Sequence, residues 1–235
     1  MRRVVITGMS EICAAGSEHN EVFRNLCEKK IDLHEIEKNN PAREKIRSRF
    51  YIPYPEFDDS KYKDKLRQVK RRGAKSAYTA CASALMALDD ASIEVPDDDT
   101  RVYMGVGAPN MYELMEQTFK LEETQKVDLL LIPMTMQSSL AAWISIVLGI
   151  HGRSSVLSMA CASGTEAVGS GYESILNGQC DMALCGGSDY LPDKNLLLLH
   201  GFEALKCATL SEEGYALPFC EESSGFLFSE GAASI

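Results

Sequence analysis

A chain of 235 residues, 45% hydrophobic and 25% charged, has the make-up of a globular protein, which sets aside disorder, collagen-like repeats and coiled coil. Its 24 Lys and Arg stand against 34 Asp and Glu, and a net charge of −10 argues against a general nucleic-acid binder. No run reaches the roughly 18 unbroken apolar residues of a membrane-spanning helix, and the apolar stretch after Met1-Arg2-Arg3 is too short for a secretory signal.

In chain order, the β-branched run from Arg3 to Thr7, closed by Gly8, predicts an opening strand. Val22, Phe23 and Leu26 recur at helical spacing over Glu18 to Glu28. Residues 29–60 are polar, hold Pro41, Pro53 and Pro55, and read as an irregular surface excursion. Lys61 to Asp90 predicts one or two helices. The first half is basic, and the second carries Ala77, Ala80, Cys81, Ala84, Leu85 and Leu88, small enough for close packing. A strand follows over Val102 to Val106, then helices over Met111 to Leu121 and Thr135 to Leu148. Ser155 to Ala160 predicts a strand, Ser163 to Asn177 a helix ended by Gly178, and Met182 to Cys185 a strand ended by Gly186-Gly187. Phe226 to Phe228 and Ala232 to Ile235 read as a closing hairpin. The alternation predicts the α/β class with a parallel or mixed sheet and packed helices.

Cysteines stand at 13, 27, 81, 161, 180, 185, 207 and 220. No pair has zinc-ribbon or redox spacing, so free thiols in a reducing cytoplasm are expected. His19, His34, His151 and His200 cluster neither with one another nor with cysteines, so neither a metal nor another cofactor is expected. Gly105-Val106-Gly107 lacks the rest of a dinucleotide-binding fingerprint.

The stretch most informative about chemistry runs from Ser154 to Tyr172. A buried strand leads straight into Cys161, and a helix follows with Gly164, Val168, Gly171, Tyr172 and Ile175 on one stripe. A thiol at a helix N-terminus meets the positive end of the helix dipole and backbone N–H groups, both of which favour thiolate, the reactive form. The Cys161 N–H is also placed to stabilise an oxyanion on a bound thioester. The competing reading, a small buried core cysteine, stands about level on these grounds alone.

Motifs in a fixed order carry a resemblance. They are Arg3-Val4-Val5-Ile6-Thr7-Gly8-Met9, Pro133-Met134-Thr135-Met136, Leu148-Gly149-Ile150-His151-Gly152, Ala160-Cys161-Ala162-Ser163-Gly164, and Asn177 to Gly187. Pro218-Phe219 and Gly225 to Ala233 complete the series. Together they resemble the N-terminal half of the β-ketoacyl-acyl-carrier-protein synthases, condensing enzymes of the thiolase superfamily. The resemblance implies a thiolase-like fold, with residues 1–235 forming the first of two duplicated α/β halves. It implies an acyltransferase of fatty-acid or polyketide synthesis in which Cys161 accepts an acyl chain as a thioester, for decarboxylative condensation with a malonyl carrier.

It further implies that Met134, Thr135, Met136 and Phe202 line the acyl pocket, that Lys70, Arg71 and Arg72 bind the acyl carrier protein, and that the protein is a homodimer or pairs with another ketosynthase subunit. The family's two catalytic histidines belong to the second half, and none of the four here sits in a matching motif. Cys220 stands where the family commonly has aspartate, and Ser229 and Ala233 where it has glycine. The apolar end Ala232-Ala233-Ser234-Ile235 reads as a truncation, a split gene or a proteolysed chain, and the chain alone as incomplete for catalysis. The alternative is a non-catalytic ketosynthase-like partner of an active subunit; a thiolase is a weaker third reading.

Overall fold

The computed structural model describes residues 2–31, 33–36, 41–108, 110–190 and 196–235. Strand β1 (Ser10–Ile12) leads into helix α1 (His19–Cys27). The excursion that follows holds two very short strands, β2 (His34–Glu35) and β3 (Phe50–Tyr51), paired antiparallel, and two 3-10 turns. Helices α2 (Lys63–Arg72) and α3 (Lys75–Asp90) come next, separated by Gly73 and Ala74. Then follow β4 (Arg101–Gly105), α4 (Met111–Thr124), α5 (Leu131–Thr135), α6 (Ser139–Leu148), β5 (Ser154–Leu157) and α7 (Ser163–Leu176). The chain closes with β6 (Ala183–Asp189), α8 (Leu197–Ala204) and β7 (Gly231–Ser234).

The main sheet runs β1-β7-β6-β4-β5. Strands β5 and β6 flank β4 in parallel, and β7 lies antiparallel between β6 and β1. Helices α3 and α6 pack together and cover one face; α7 crosses the other over β4, β5 and β6. The main core lies under α3, whose Ala77, Ala80, Ala84 and Leu85 pack with Leu66 and Val69 of α2, Val102 and Met104 of β4, and Leu140 and Ile144 of α6. The alanine stripe read from the sequence is thus the contact face of a helix buried on nearly all sides. A second cluster, with Ile36, Ile46, Leu199, Ala208 and Phe228, lies under the excursion and α8. Among the described residues no helix is long and apolar enough to cross a membrane.

The α/β class, the mixed sheet and most helices follow the sequence reading, but five local expectations need correction. Residues 3–7 form no strand: Val4 to Thr7 border an apolar groove with Val168, Tyr172 and Ile175 of α7 and with Ile235, leaving Val5 and Ile6 largely exposed. The first strand is Ser10–Ile12, an apolar-polar-apolar triplet too short to register as periodic. The helix expected over 135–148 breaks at residues 136–138, where Met136 turns extended and gives its carbonyl to the Asn110 amide at 2.9 Å. The strand before Cys161 stops at Leu157.

Gly186-Gly187 does not end its strand. Strand β6 runs through both to Asp189, because β7 approaches so closely that only a residue without a Cβ fits at Gly186. The closing hairpin does not form either: Phe226 bridges to Ala208 and Ser229 to Ile52, while β7 inserts between β1 and β6. Of the irregular excursion, residues 32 and 37–40 lie outside the described set.

Candidate active site

Beyond β5 the chain makes a tight turn through Ser158, Met159 and Ala160 and enters α7 at Ser163. Cys161 stands on this turn, exposed, one residue before the helix cap Ala162. It therefore lies at the positive end of a 14-residue helix dipole, as the sequence predicts. The strand before Cys161 is expected to be buried and central, but β5 is an edge of the sheet with none of its residues buried, because only β4 pairs with it.

Ala160, immediately before the cysteine, has φ +52°, in the left-handed region. An L-residue adopts it at a cost that neighbouring contacts must offset. The neighbours here are hydrogen bonds. The amide of Ala162 donates to the Met159 carbonyl at 3.2 Å, and that of Ser163 to the Ala160 carbonyl at 3.1 Å. The Ser163 side chain adds a second set: its Oγ accepts the Met159 N–H at 2.8 Å and faces the carbonyl oxygens of Ala160 at 2.6 Å and Val106 at 3.2 Å.

The turn is seated on the end of β4. A Cβ on Gly105 would stand 2.4 Å from the Ser163 carbonyl carbon, so the first turn of α7 rests directly on the strand backbone. Val106 donates its N–H to the Leu157 carbonyl at 3.0 Å, extending the β4–β5 pairing by one residue. From the other side, the Asp189 carboxylate at the end of β6 accepts the N–H groups of Gly107 and Ala108 at 2.9–3.0 Å. Three strand ends, those of β4, β5 and β6, thus converge beside Cys161.

The other residues singled out by resemblance are spread more widely. Met134 and Thr135 are half-buried in the last turn of α5, where the Thr135 hydroxyl donates to the Leu131 carbonyl at 2.9 Å. Met136 is 52% exposed, next to the exposed Ile132 and Leu129. Phe202, in α8, packs edge-on against Phe226 at 4.9 Å and against Phe228 at 5.6 Å, as part of the second hydrophobic cluster.

Lys70, Arg71 and Arg72 close α2, all three exposed. The Lys70 ammonium pairs with Asp59 at 2.9 Å and lies 5.2 Å from the Tyr78 ring centre. With Lys63 and Arg67 they make α2 basic around most of its exposed circumference, while Leu66 and Val69 hold it to the core.

His19 bonds to Glu11 at 2.8 Å, and the ring of His151 to Asp98 at 2.5 Å on the surface. Neither belongs to the turn around Cys161. Sequence reading did not single out Ala160, Ser163 or Asp189. The signals were present as a hydroxyl two residues after the cysteine and a carboxylate closing the run after Gly186-Gly187, but their importance depends on strand ends that meet only in three dimensions.

Comparison with known proteins gives the relatives of this chain. A 3-oxoacyl-[acyl-carrier-protein] synthase 2 of Synechocystis is 25% identical over 239 residues, covering 98% of this chain and 56% of that protein. A crystal structure of a β-ketoacyl synthase from Burkholderia phymatum superposes with a TM-score of 0.83 at 25% identity, over 100% of this chain and 58% of that one. A type II PKS ketosynthase in complex with its acyl-carrier protein shares the fold at 23% identity, TM-score 0.82, over 99% of this chain and 57% of the other. The chain thus spans little more than half the length of these proteins. The family model for the N-terminal domain of β-ketoacyl synthases matches residues 1–235 throughout, and the chain belongs to that family.

Proposed function

We propose that the protein supplies the acyl-accepting half of a β-ketoacyl-acyl-carrier-protein synthase, an acyltransferase of fatty-acid or polyketide synthesis, with Cys161 as the nucleophile. The observation that carries this reading is the exposed thiol of Cys161 on a tight strand-to-helix turn at the N-terminus of α7. The Cys161 sulfur attacks the carbonyl of an acyl thioester on a carrier. A sulfur–carbon bond forms, the carrier's sulfur leaves, and the thiol proton passes to it. Condensation then needs a malonyl carrier to lose CO₂ and its carbanion to attack the acyl carbonyl, returning the Cys161 thiolate. By resemblance the histidines that assist that decarboxylation belong to the family's second half, and none of the four here sits in a matching motif, so we assign the second step to groups outside these 235 residues.

The outer face of α7, where Val168 and Tyr172 border an apolar groove with residues 4–7 and Ile235, is the surface on which a second α/β half would pack. Met134, Thr135, Met136 and Phe202 are assigned to the acyl pocket by resemblance. The basic end of α2, Lys70, Arg71 and Arg72, is assigned to the acidic carrier protein on charge complementarity. The open edge of β5 and the exposed Leu129, Ile132 and Met136 support a dimer, with a second copy or with another ketosynthase subunit. Eight free thiols fit a cytoplasmic setting.

The test is to incubate the purified chain with acyl-carrier and malonyl-carrier substrates and follow both by intact mass. A mass shift on Cys161, lost in Cys161→Ala, with no β-ketoacyl product is the expected result. Steady product from this chain alone would overturn the assignment of the second step. No shift at all would move the protein to the alternative, a non-catalytic partner that shapes a pocket or holds a carrier for an active subunit.

A further inference from the structure

We infer that Ser163 is a positioning residue: its buried hydroxyl holds the left-handed turn at Ala160 and thereby sets where the Cys161 sulfur stands. The inference rests on the reading of Cys161 as acyl acceptor. Ser163 is 3% exposed, so its hydroxyl must find partners within the protein. A serine in the cap position accepts an N–H two or three residues ahead, but Ser163 stands one place past the cap, which is Ala162. Here the hydroxyl is turned backwards instead.

The Ser163 oxygen accepts the Met159 N–H, and its single hydrogen points to the nearer of two carbonyls, that of Ala160 at 2.6 Å, with Val106 at 3.2 Å as the second acceptor. One oxygen therefore grips both residues on the N-terminal side of the cysteine, including the one at φ +52°. A left-handed alanine persists only when its surroundings hold it there. The helix cap Ala162 contributes no side-chain hydrogen bond.

Gly105 explains why the oxygen lies within reach. Without a Cβ at that position, the first turn of α7 rests on β4 and brings the hydroxyl beside the Val106 carbonyl. Asp189 in turn fixes Gly107 and Ala108, the residues after Val106. The hydroxyl is thus the link between a strand frame held from both sides and the turn that carries the thiol. Without it, the turn keeps only the two backbone bonds to the Met159 and Ala160 carbonyls, and the sulfur loses a defined position relative to the helix terminus.

The experiment measures carbamidomethylation of Cys161 by iodoacetamide, resolved by peptide mass, with the exposed Cys27 and Cys220 of the same molecule as internal references. In the unsubstituted protein Cys161 is expected to react fastest. In Ser163→Ala the ratio of Cys161 to the reference rates is expected to fall about tenfold, a loss in the range that small misplacements of a reacting group produce. Ser163→Thr retains the oxygen and is expected to restore the ratio to within about twofold. Melting curves confirm that each variant is folded. Should Ser163→Ala fail to fold, Ser163→Val, which has the shape of threonine without its oxygen, is set against Ser163→Thr and carries the same comparison.

A folded Ser163→Ala with an unchanged ratio overturns the positioning role and leaves the acyl-acceptor reading intact. An equal loss in folded Ser163→Ala and Ser163→Thr also overturns it. A wild-type Cys161 no faster than Cys27 and Cys220 overturns the acyl-acceptor reading, and the positioning role with it.

Discussion

Gly186 of β6 lies so close beneath β7 that a Cβ on it would stand 2.1 Å from the Ala233 carbonyl oxygen. The obstacle is backbone, which cannot swing aside as a side chain can. Gly186→Ala is therefore expected to push β6 and β7 apart and to destabilise the protein by about 3 kcal/mol. For a chain of this size that is a fall in melting temperature of roughly 10 °C. Circular dichroism melts of the two proteins check it, and a fall under about 2 °C would show that the sheet yields more easily than this contact implies.

Strand β6 also shows where the sequence was legible. An apolar run closed by glycine identified β4, a run leading toward the cysteine identified β5, and an apolar stripe ended by Gly178 identified α7. The order strand–cysteine–helix placed Cys161 at the helix start, although its strand is an edge strand that stops at Leu157. The rule that glycine closes a run misread Gly186-Gly187 as a stop, because the glycines admit a neighbouring strand that arrives from far along the chain. Residues 3–7 failed for a related reason. β-branched composition says that one side is apolar, but a strand also needs backbone partners, and this segment has α7 beside it instead. At the site, Cys161 was legible as a residue type in a setting. Ser163 and Asp189 were not, since each acts through carbonyl or amide groups of another strand.

Replacing Lys70, Arg71 and Arg72 together with glutamate is expected to weaken binding of an acidic carrier protein chiefly through the on-rate, by about tenfold at low salt. The difference should shrink at high salt as charges are screened. Because Lys70 is paired with Asp59, a second variant altering only Arg71 and Arg72 separates docking from local repulsion. Surface plasmon resonance at two salt concentrations is the measurement, and unchanged association in both variants would leave these residues as a solvated helix face.

His19 joins α1 to β1 and to the end of α3: its ring bonds Glu11 at 2.8 Å and lies 3.8 Å from Asp90. The hydrogen bond that the ring donates to the Glu11 carboxylate raises its pKa above 6.5, against partial burial, with the charges of Glu11 and Asp90 adding to the rise. A raised folded-state value means the stabilisation is complete below about pH 6.5 and is lost as pH climbs through the folded value. The site is partly open to water, so the effect is small, roughly 0.5 kcal/mol. Melting temperature should decline slightly from pH 6 to 9, and His19→Gln should flatten that decline. An equal slope in both proteins would locate the pH dependence elsewhere.

Six of the eight thiols should fall into two classes, with the half-buried Cys13 and Cys207 between them. Cys27, Cys161 and Cys220 are exposed and should react with an aromatic disulfide reagent in the native protein. Burial pushes Cys185 up to about 12 and raises the pKa values of Cys81 and Cys180 as well, so these three should react only after unfolding. Time-resolved absorbance with and without denaturant counts them. Native reaction at Cys81 would reveal local opening of α3.

The placement of β7 has a consequence for biosynthesis. Ser10 pairs with Ser234, and Ser234 in turn with Gly186, so strand β1 joins the sheet only through residues made long after it. At ribosomal speeds of about 5–20 residues per second, Ser10 waits at least ten seconds for its partner to be synthesised. During that interval β6 has an open edge and α3 an uncovered flank. Within this sheet, β1 is the first strand to leave the ribosome and the last to be locked in.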